Sequence, residues 1–122
     1  APAAAIEAAA IQVERIGGPV LLIGAQDDQV WPSCPLSDMA WGRLVDAGHV
    51  GRFPLDGREC YPGAGHALNP GYVGLPMGST ILVERPDGGV FDLYGGSPQA
   101  NGQGARAAWK RTREFLEAAL KR

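Results

Sequence analysis

The sequence lacks any long apolar run, and it has no large excess of charge of either sign. No stretch of the 122 residues approaches the roughly 18 consecutive apolar residues that a membrane-spanning helix needs. The formal net charge is −2, with 11 Lys and Arg against 13 Asp and Glu, and no basic cluster stands out. We therefore expect neither a membrane nor a nucleic acid as a partner.

Cysteine is also scarce, with Cys34 and Cys60 as the two examples. Neither lies in a CxxC pair or next to a histidine, so a zinc site is not indicated. The pair could form one disulfide, but the interpretation we favour is two free thiols in a reducing cytoplasm. The Ala-rich residues 1–10 carry Glu7 and no basic region, which is not typical of a signal peptide. These features favour a cytoplasmic location.

Glycine and proline, by contrast, are plentiful, with 18 Gly and 10 Pro. Helices and strands do not tolerate so many, so much of the chain is expected to be loop or turn. Loops on a rigid scaffold often carry active sites. The length leaves room for one domain over residues 1–122, and 45% hydrophobic residues are ordinary for a folded protein.

The first half of the chain is typical of a strand–helix–strand unit. Residues 19–25 (PVLLIGA) are continuously apolar, which favours a central strand of a parallel sheet with both faces buried. Ser33 is a candidate N-cap for a helix over 35–47 that ends at Gly48. Residues 52–61 form a weaker candidate strand. The apolar stripe of the helix would consist of Leu36, Met39, Ala40, Leu44 and Ala47.

The rest of the chain contains one strong pattern that predicts secondary structure and several weak ones. An amphipathic helix is predicted over 103–120, with a large apolar face that must pack on something. A short helix over 3–10 and a short strand over 90–94 are also predicted, while residues 67–89 are expected to be irregular. The whole pattern predicts an α/β fold with few parallel strands flanked by helices.

An aspartate and a histidine follow the two predicted parallel strands. Asp28 lies just past the first strand, and His66 ends the turn Pro-Gly-Ala-Gly-His after the second. Catalytic groups collect at the carboxyl ends of parallel strands, and acid before base is the order of an α/β-hydrolase triad. A neutral imidazole takes the proton of a Ser or Cys nucleophile, and a carboxylate holds that imidazole in the right tautomer. We predict Asp28 as the acid and His66 as the base, with Asp27 as the rival acid.

Three blocks of the sequence resemble one known family. They are residues 11–35 (IQVERIGGPVLLIGAQDDQVWPSCP), 61–66 (YPGAGH) and 95–109 (GGSPQANGQGARAAW). The family is the C-terminal domain of acyl-CoA thioester hydrolases and bile-acid-CoA:amino acid N-acyltransferases, a branch of the α/β-hydrolase fold close to dienelactone hydrolase. Its members cleave or transfer the acyl group of a CoA thioester in fatty acid metabolism, with a Ser or Cys nucleophile, a His and an Asp.

Carried over by position, the resemblance makes Asp28 the acid and His66 the base. Asp28 is preferred to Asp27 because Asp-x-x-x-Pro is the usual spacing after the acid in this fold, and Pro32 fits it. Asp27 is then expected to bond backbone in the turn. The resemblance implies an acyl-CoA thioester as substrate, and it implies neither a cofactor nor a metal.

The nucleophile that such a pair serves is missing. These 122 residues contain no Gly-x-Ser-x-Gly elbow and no cysteine variant of it. Ser79 and Ser97 follow the histidine, which is the wrong order, while Ser33 and Cys34 open a helix beside the acid. We therefore expect the C-terminal, acid- and base-bearing part of an α/β-hydrolase. Its incomplete sheet would be covered by a homo-oligomer or a partner chain.

Two other functions compete with this one. A non-catalytic, oligomeric binding or interaction module derived from a hydrolase would not require the acid and base to touch. A metal site made of Asp27, Asp28, His49 and His66 is the weaker alternative, because no ligand spacing supports it.

Overall fold

The structure, a computed structural model, describes residues 2–68 and 82–121. The helices are α1 (Ala3–Ala9), α2 (Ser33–Asp46), α3 (His49–Arg52) and α4 (Pro98–Leu120), and a one-turn 3-10 helix covers Val13–Arg15. The strands are β1 (Leu21–Ala25), β2 (Gly57–Tyr61), β3 (Leu82–Glu84) and β4 (Val90–Asp92). Within these ranges, no helix is long and apolar enough to cross a membrane.

A small open parallel sheet positions the two loops that carry Asp28 and His66. Strands β1 and β2 pair in parallel, from Leu21 opposite Gly57 to Ala25 opposite Tyr61. Because the two strands end together, the turns that follow them emerge at the same edge of the sheet. The architecture is the predicted partial α/β fold, with few parallel strands flanked by helices and an incomplete sheet.

Helix α2 packs on β1 through a face that coincides only in part with the predicted stripe. Leu44 of the stripe is buried, as is Cys34 outside it, whereas Leu36 and Met39 of the stripe are about half exposed. The helix approaches β1 closely over Gly24, where an added Cβ would lie 3.0 Å from the Cys34 nitrogen. This close approach at the start of the helix determines how α2 is rotated about its own axis on the sheet. Part of the apolar stripe therefore remains exposed to solvent.

Ser33 is the first residue of α2, and it is not its N-cap. Its hydroxyl accepts the N–H of Ala25 (2.9 Å) and donates to the Ala25 carbonyl (3.1 Å). The side chain therefore satisfies the backbone at the end of β1. Pro32 occupies the cap position without a side-chain hydrogen bond.

The prediction of two free thiols is wrong, because Cys34 and Cys60 form a disulfide with their Cα atoms 5.7 Å apart. Cys34 lies in the first turn of α2, directly over Gly24. Cys60 is the residue that pairs with Gly24 across the sheet. The glycine leaves room for the bridge, a relationship that the cysteine count and spacing could not show.

Helix α4 begins five residues before the predicted start, at Pro98 rather than 103. Ser97 caps it, since its hydroxyl accepts the N–H of Ala100 (3.1 Å). The buried residues lie in its first half and include Asn101 and Ala105. The large apolar residues of its second half remain substantially exposed: Trp109, Leu116 and Leu120.

The structure confirms two of the remaining predictions of secondary structure and contradicts part of a third. The short helix over 3–10 is confirmed as α1, and the strand over 90–94 is confirmed in shorter form as β4. The expectation of irregular structure over 67–89 is wrong at 82–84, because β3 pairs antiparallel with β4 there. Residues 69–81 lie outside the described residues.

Candidate active site

The two residues predicted as acid and base contact each other at the sheet edge. Asp28 follows β1 and His66 follows β2, and the Nδ1 atom of His66 lies 3.1 Å from Oδ2 of Asp28. The Asp28 side chain is 3% exposed and that of His66 26% exposed. The carboxylate is thus shielded from water while the imidazole keeps one side open.

The second carboxylate oxygen of Asp28 is held by backbone. Oδ1 accepts the N–H of Val30 (2.9 Å) and of Trp31 (3.2 Å), which fixes the carboxylate orientation. Burial alone would raise the pKa of Asp28, but the hydrogen bonds from His66 and from the backbone N–H groups of Trp31 and Val30 outweigh it, so the pKa lies below its usual value. Asp28 is therefore a carboxylate at neutral pH, as an imidazole-orienting group must be.

Two aromatic rings flank the His66 imidazole. Trp31 meets it edge-on, with ring centroids 4.6 Å apart, and Tyr94 lies on another side at 5.6 Å. The backbone N–H of His66 donates to the Tyr94 carbonyl (2.8 Å). Because Nδ1 contacts Asp28, Nε2 is the ring nitrogen on the side away from the carboxylate.

Asp27 plays a different part from Asp28. One of its carboxylate oxygens accepts the N–H of Gly96 (2.9 Å), and the other accepts the Gln29 side-chain amide (2.9 Å). Its own N–H donates to the Ala64 carbonyl (2.9 Å). Asp27 therefore ties the turn after β1 (residues 26–29, the acid turn) to the loop after β2 (residues 62–66, the histidine loop) and to Gly96. The backbone group that its carboxylate binds lies in another loop, and not in the acid turn as expected.

A third loop, residues 94–97, joins the acid turn to the histidine loop. The sequence analysis did not predict that this loop holds the other two together. The Tyr94 carbonyl accepts N–H groups from both Gln29 (3.4 Å) and His66 (2.8 Å). Asn101, buried in α4, binds this loop and the histidine loop together. One signal was available in the sequence, because an asparagine followed by Gly102 and Gly104 inside a helical segment is unfavourable unless its side chain has partners.

Each candidate nucleophile from the sequence that lies in the described residues has another bonding partner. Cys34 is in the disulfide, the Ser33 hydroxyl bonds the end of β1, and the Ser97 hydroxyl caps α4. Ser79 lies outside the described residues. The Asp28–His66 pair has the arrangement of a base and its orienting carboxylate.

His49 does not join the other candidate metal ligands. Its Nδ1 lies 2.6 Å from Oδ2 of Asp56, and its Nε2 lies 2.8 Å from the Ile16 carbonyl oxygen. Both side chains of the His49–Asp56 pair are fully buried. Across residues 2–68 and 82–121, no group of three or more His, Cys, Asp or Glu could hold a metal ion.

The chain is similar to known proteins over most of its length. A family model described as BAAT / acyl-CoA thioester hydrolase C terminal matches residues 3–122. Peroxisomal succinyl-coenzyme A thioesterase of Mus musculus is 32% identical over 106 residues, which cover 87% of this chain and 23% of that protein. In Homo sapiens, acyl-coenzyme A thioesterase 1 is 34% identical over 107 residues, covering 87% of this chain and 23% of that protein.

A further relative has the same degree of similarity. Acyl-coenzyme A thioesterase 2, mitochondrial, of Homo sapiens is 34% identical over 107 residues, covering 87% of this chain and 20% of that protein. The chain thus spans less than a quarter of the length of these curated relatives. Because the family model matches nearly every residue, the chain belongs to the C-terminal family of BAAT and acyl-CoA thioester hydrolases.

Proposed function

We propose that this chain is the acid- and base-bearing part of an acyl-CoA thioester hydrolase. In this proposal Asp28 is the triad acid and His66 the general base, and the Ser or Cys nucleophile is carried outside these 122 residues. The observation that supports it best is the 3.1 Å contact between His66 Nδ1 and Asp28 Oδ2, at the carboxyl ends of two paired parallel strands.

The chemistry follows from the orientation of the imidazole. Asp28 keeps the proton on Nδ1 of His66, so Nε2 is the nitrogen that can take the nucleophile's proton as it attacks the thioester carbonyl. The imidazolium then returns that proton to the departing CoA sulfur, which leaves an acyl-enzyme. Water, deprotonated by the same Nε2, releases the carboxylic acid. An amine in place of water would give acyl transfer instead.

The substrate class is proposed from the family and from the relatives, whose names describe them as thioesterases for succinyl-CoA or acyl-CoA. Fatty acid metabolism and a cytoplasmic location remain predictions, and the names of the relatives include a peroxisomal and a mitochondrial protein. The disulfide removes one reason for expecting the cytoplasm, since disulfides persist in oxidising compartments.

We also propose that the open sheet and the exposed apolar residues are covered by another copy or another chain. Leu36 and Met39 of α2 and Trp109 of α4 are about half exposed. Apolar side chains of this size are more typical of an interface than of a free surface. Sedimentation showing a stable monomer with no partner would contradict this.

The function is tested in the full-length gene product that contains these residues, by following CoA thiol release from acyl-CoA thioesters. Asp28→Asn should lower turnover by roughly 10⁴-fold, because the imidazole would lose its correct tautomer. His66→Ala should lower it by on the order of 10⁶-fold. Lys110→Ala, an exposed change on α4, is the control and should leave turnover intact.

Circular dichroism must show that each variant remains folded. Equal turnover in the parent and in a folded His66→Ala variant would overturn the proposal. That outcome would favour the alternative function, a non-catalytic oligomeric module derived from a hydrolase.

A further inference from the structure

The first half of α4 packs directly on the loop that carries His66. A Cβ at Gly104 would lie 3.0 Å from side-chain atoms of both Ala64 and Leu68, so a glycine is needed for the helix to approach this loop. Asn101 lies one turn earlier on the same buried face. Asparagine and glycine are poor helix formers, so the contacts with the loop offset an unfavourable local propensity at these positions.

Asn101 joins the backbones of two loops through its carboxamide. The residue is 1% exposed. Its Oδ1 accepts the N–H of Gly65 (2.7 Å), and its Nδ2 donates to the Gly95 carbonyl (3.2 Å). A carboxamide offers one acceptor and one donor at this spacing, so it satisfies both buried backbone groups at once.

The two residues held by Asn101 neighbour the groups that fix the candidate base. Gly65 immediately precedes His66, and Gly95 immediately follows Tyr94, whose carbonyl accepts the N–H of His66 (2.8 Å). The backbones are in close contact here, because a Cβ at Gly65 would overlap the Gly95 carbonyl. The backbone on the N-terminal side of His66 is thus held by Asn101, and that of His66 itself by Tyr94.

We propose that Asn101 is a positioning residue for His66. By holding Gly65 against Gly95, it keeps the imidazole at hydrogen-bond distance from Asp28. This inference rests on the proposed function, in which His66 is the base, and it extends that function to a residue of α4 whose carboxamide binds only the backbone of the neighbouring loops in the described structure.

The test is ¹⁵N NMR of the imidazole, because the nitrogen signals show directly which ring nitrogen carries the proton. In the protein labelled with ¹⁵N, His66 should show the tautomer protonated at Nδ1, because that nitrogen donates to Asp28. Asn101→Leu and Asn101→Ala should replace this signature with exchange between the two tautomers. The Gly65 amide should also exchange with solvent about tenfold faster or more, since it loses its buried acceptor.

Two matched variants and one internal reference separate positioning from general destabilisation. Ser97→Ala removes the cap of α4 and weakens the helix, but it leaves the Asn101 carboxamide in place. Gln103→Leu removes an exposed amide from the same helix. Neither should alter the His66 signature. His49 reports on the fold, because its two hydrogen bonds lie away from this loop.

An unchanged His66 signature in both Asn101 variants would overturn the proposal. Loss of the His49 and His66 signatures together in both variants would overturn it too, because Asn101 would then hold the fold rather than the base. In the full-length product, Asn101→Ala should lower turnover about 10²-fold with little change in KM. If His66→Ala leaves turnover intact, the proposed function fails, while the spectroscopic result still decides the role of Asn101.

Discussion

Trp31 meets the imidazole of His66 edge-on, with the ring planes 86° apart and the centroids 4.6 Å apart. Aromatic pairs in this arrangement contribute about 0.5–1.5 kcal/mol beyond the area that they bury. A double-mutant cycle with Trp31→Ala and His66→Ala should therefore show a coupling free energy of about that size in urea unfolding. Pairing Trp31→Ala with Lys110→Ala should give changes that simply add, and additivity in the His66 cycle would contradict the contact.

Acid should destabilise the protein through Asp28. Its pKa is lower in the folded state than the ordinary value of 3.8. The stabilisation is therefore complete above that value and is lost as the pH falls through the lower, folded-state pKa. Urea unfolding from about pH 6 down to about pH 2 should show this loss in the parent.

The matched variants isolate the part of the acid sensitivity that comes from Asp28, since the pKa of Glu14 is also lowered, to about 2, chiefly by its hydrogen bonds with Arg43. Asp28→Asn should be less stable at neutral pH and less sensitive to acid than the parent. Asp46→Asn, at the exposed end of α2, should retain the acid sensitivity of the parent. Identical acid profiles for the parent and Asp28→Asn would show that the hydrogen bonds of this carboxylate do not stabilise the fold.

Alkali should destabilise the protein through the buried His49. Both ring nitrogens face oxygen atoms, and one of these belongs to the Ile16 carbonyl, which can only accept. The hydrogen bond to Asp56, followed by that to Ile16, raises the pKa of His49 above 6.5. The stabilisation is therefore complete below 6.5 and is lost as the pH rises through the raised pKa.

The measurement is the free energy of unfolding between about pH 6 and pH 9. His49→Gln should be less stable at the lower end of this range and should lose the slope. His66→Ala should retain the slope, because His66 belongs to a separate site. A parent whose stability is constant over the range would contradict a charged His49.

Reduction should weaken the fold through the Cys34–Cys60 disulfide. The bridge joins residues separated by 26 positions. Closing a loop of this size is expected to stabilise the folded state by about 3 kcal/mol, mainly by restricting the unfolded chain. The urea midpoint should therefore fall when reductant is added. The double variant Cys34→Ala, Cys60→Ala should show the lower midpoint with and without reductant.

The position of the candidate site could be predicted from the sequence because local signals determined it. A continuous apolar run predicted β1, a Gly-rich turn followed β2, and parallel pairing brings the ends of such strands together. That order of elements predicted a contact between an aspartate after β1 and His66, while the choice of Asp28 over Asp27 rested on the spacing to Pro32. The start of α4 was misplaced because its glycines hid the Ser97 cap.

Features that depend on packing between distant segments could not be predicted. The disulfide required knowing that Gly24 lies opposite Cys60 and under Cys34. The face that α2 buries depended on the same close approach, so the apolar stripe alone was misleading. The sequence could indicate that Asn101 needs partners, but not which ones, because both partners are backbone groups of distant loops.

The disulfide also divides the chain in a way that matters for proteolysis. Asp28 lies before the covalent ring formed by residues 34–60, and His66 lies after it. A single protease cut between Cys34 and Cys60, for example in the exposed turn around Gly48, would leave both loops attached to one molecule. Cleavage there would change the apparent mass under reducing conditions, while under oxidising conditions the aspartate and the histidine would stay tethered at the base of their loops.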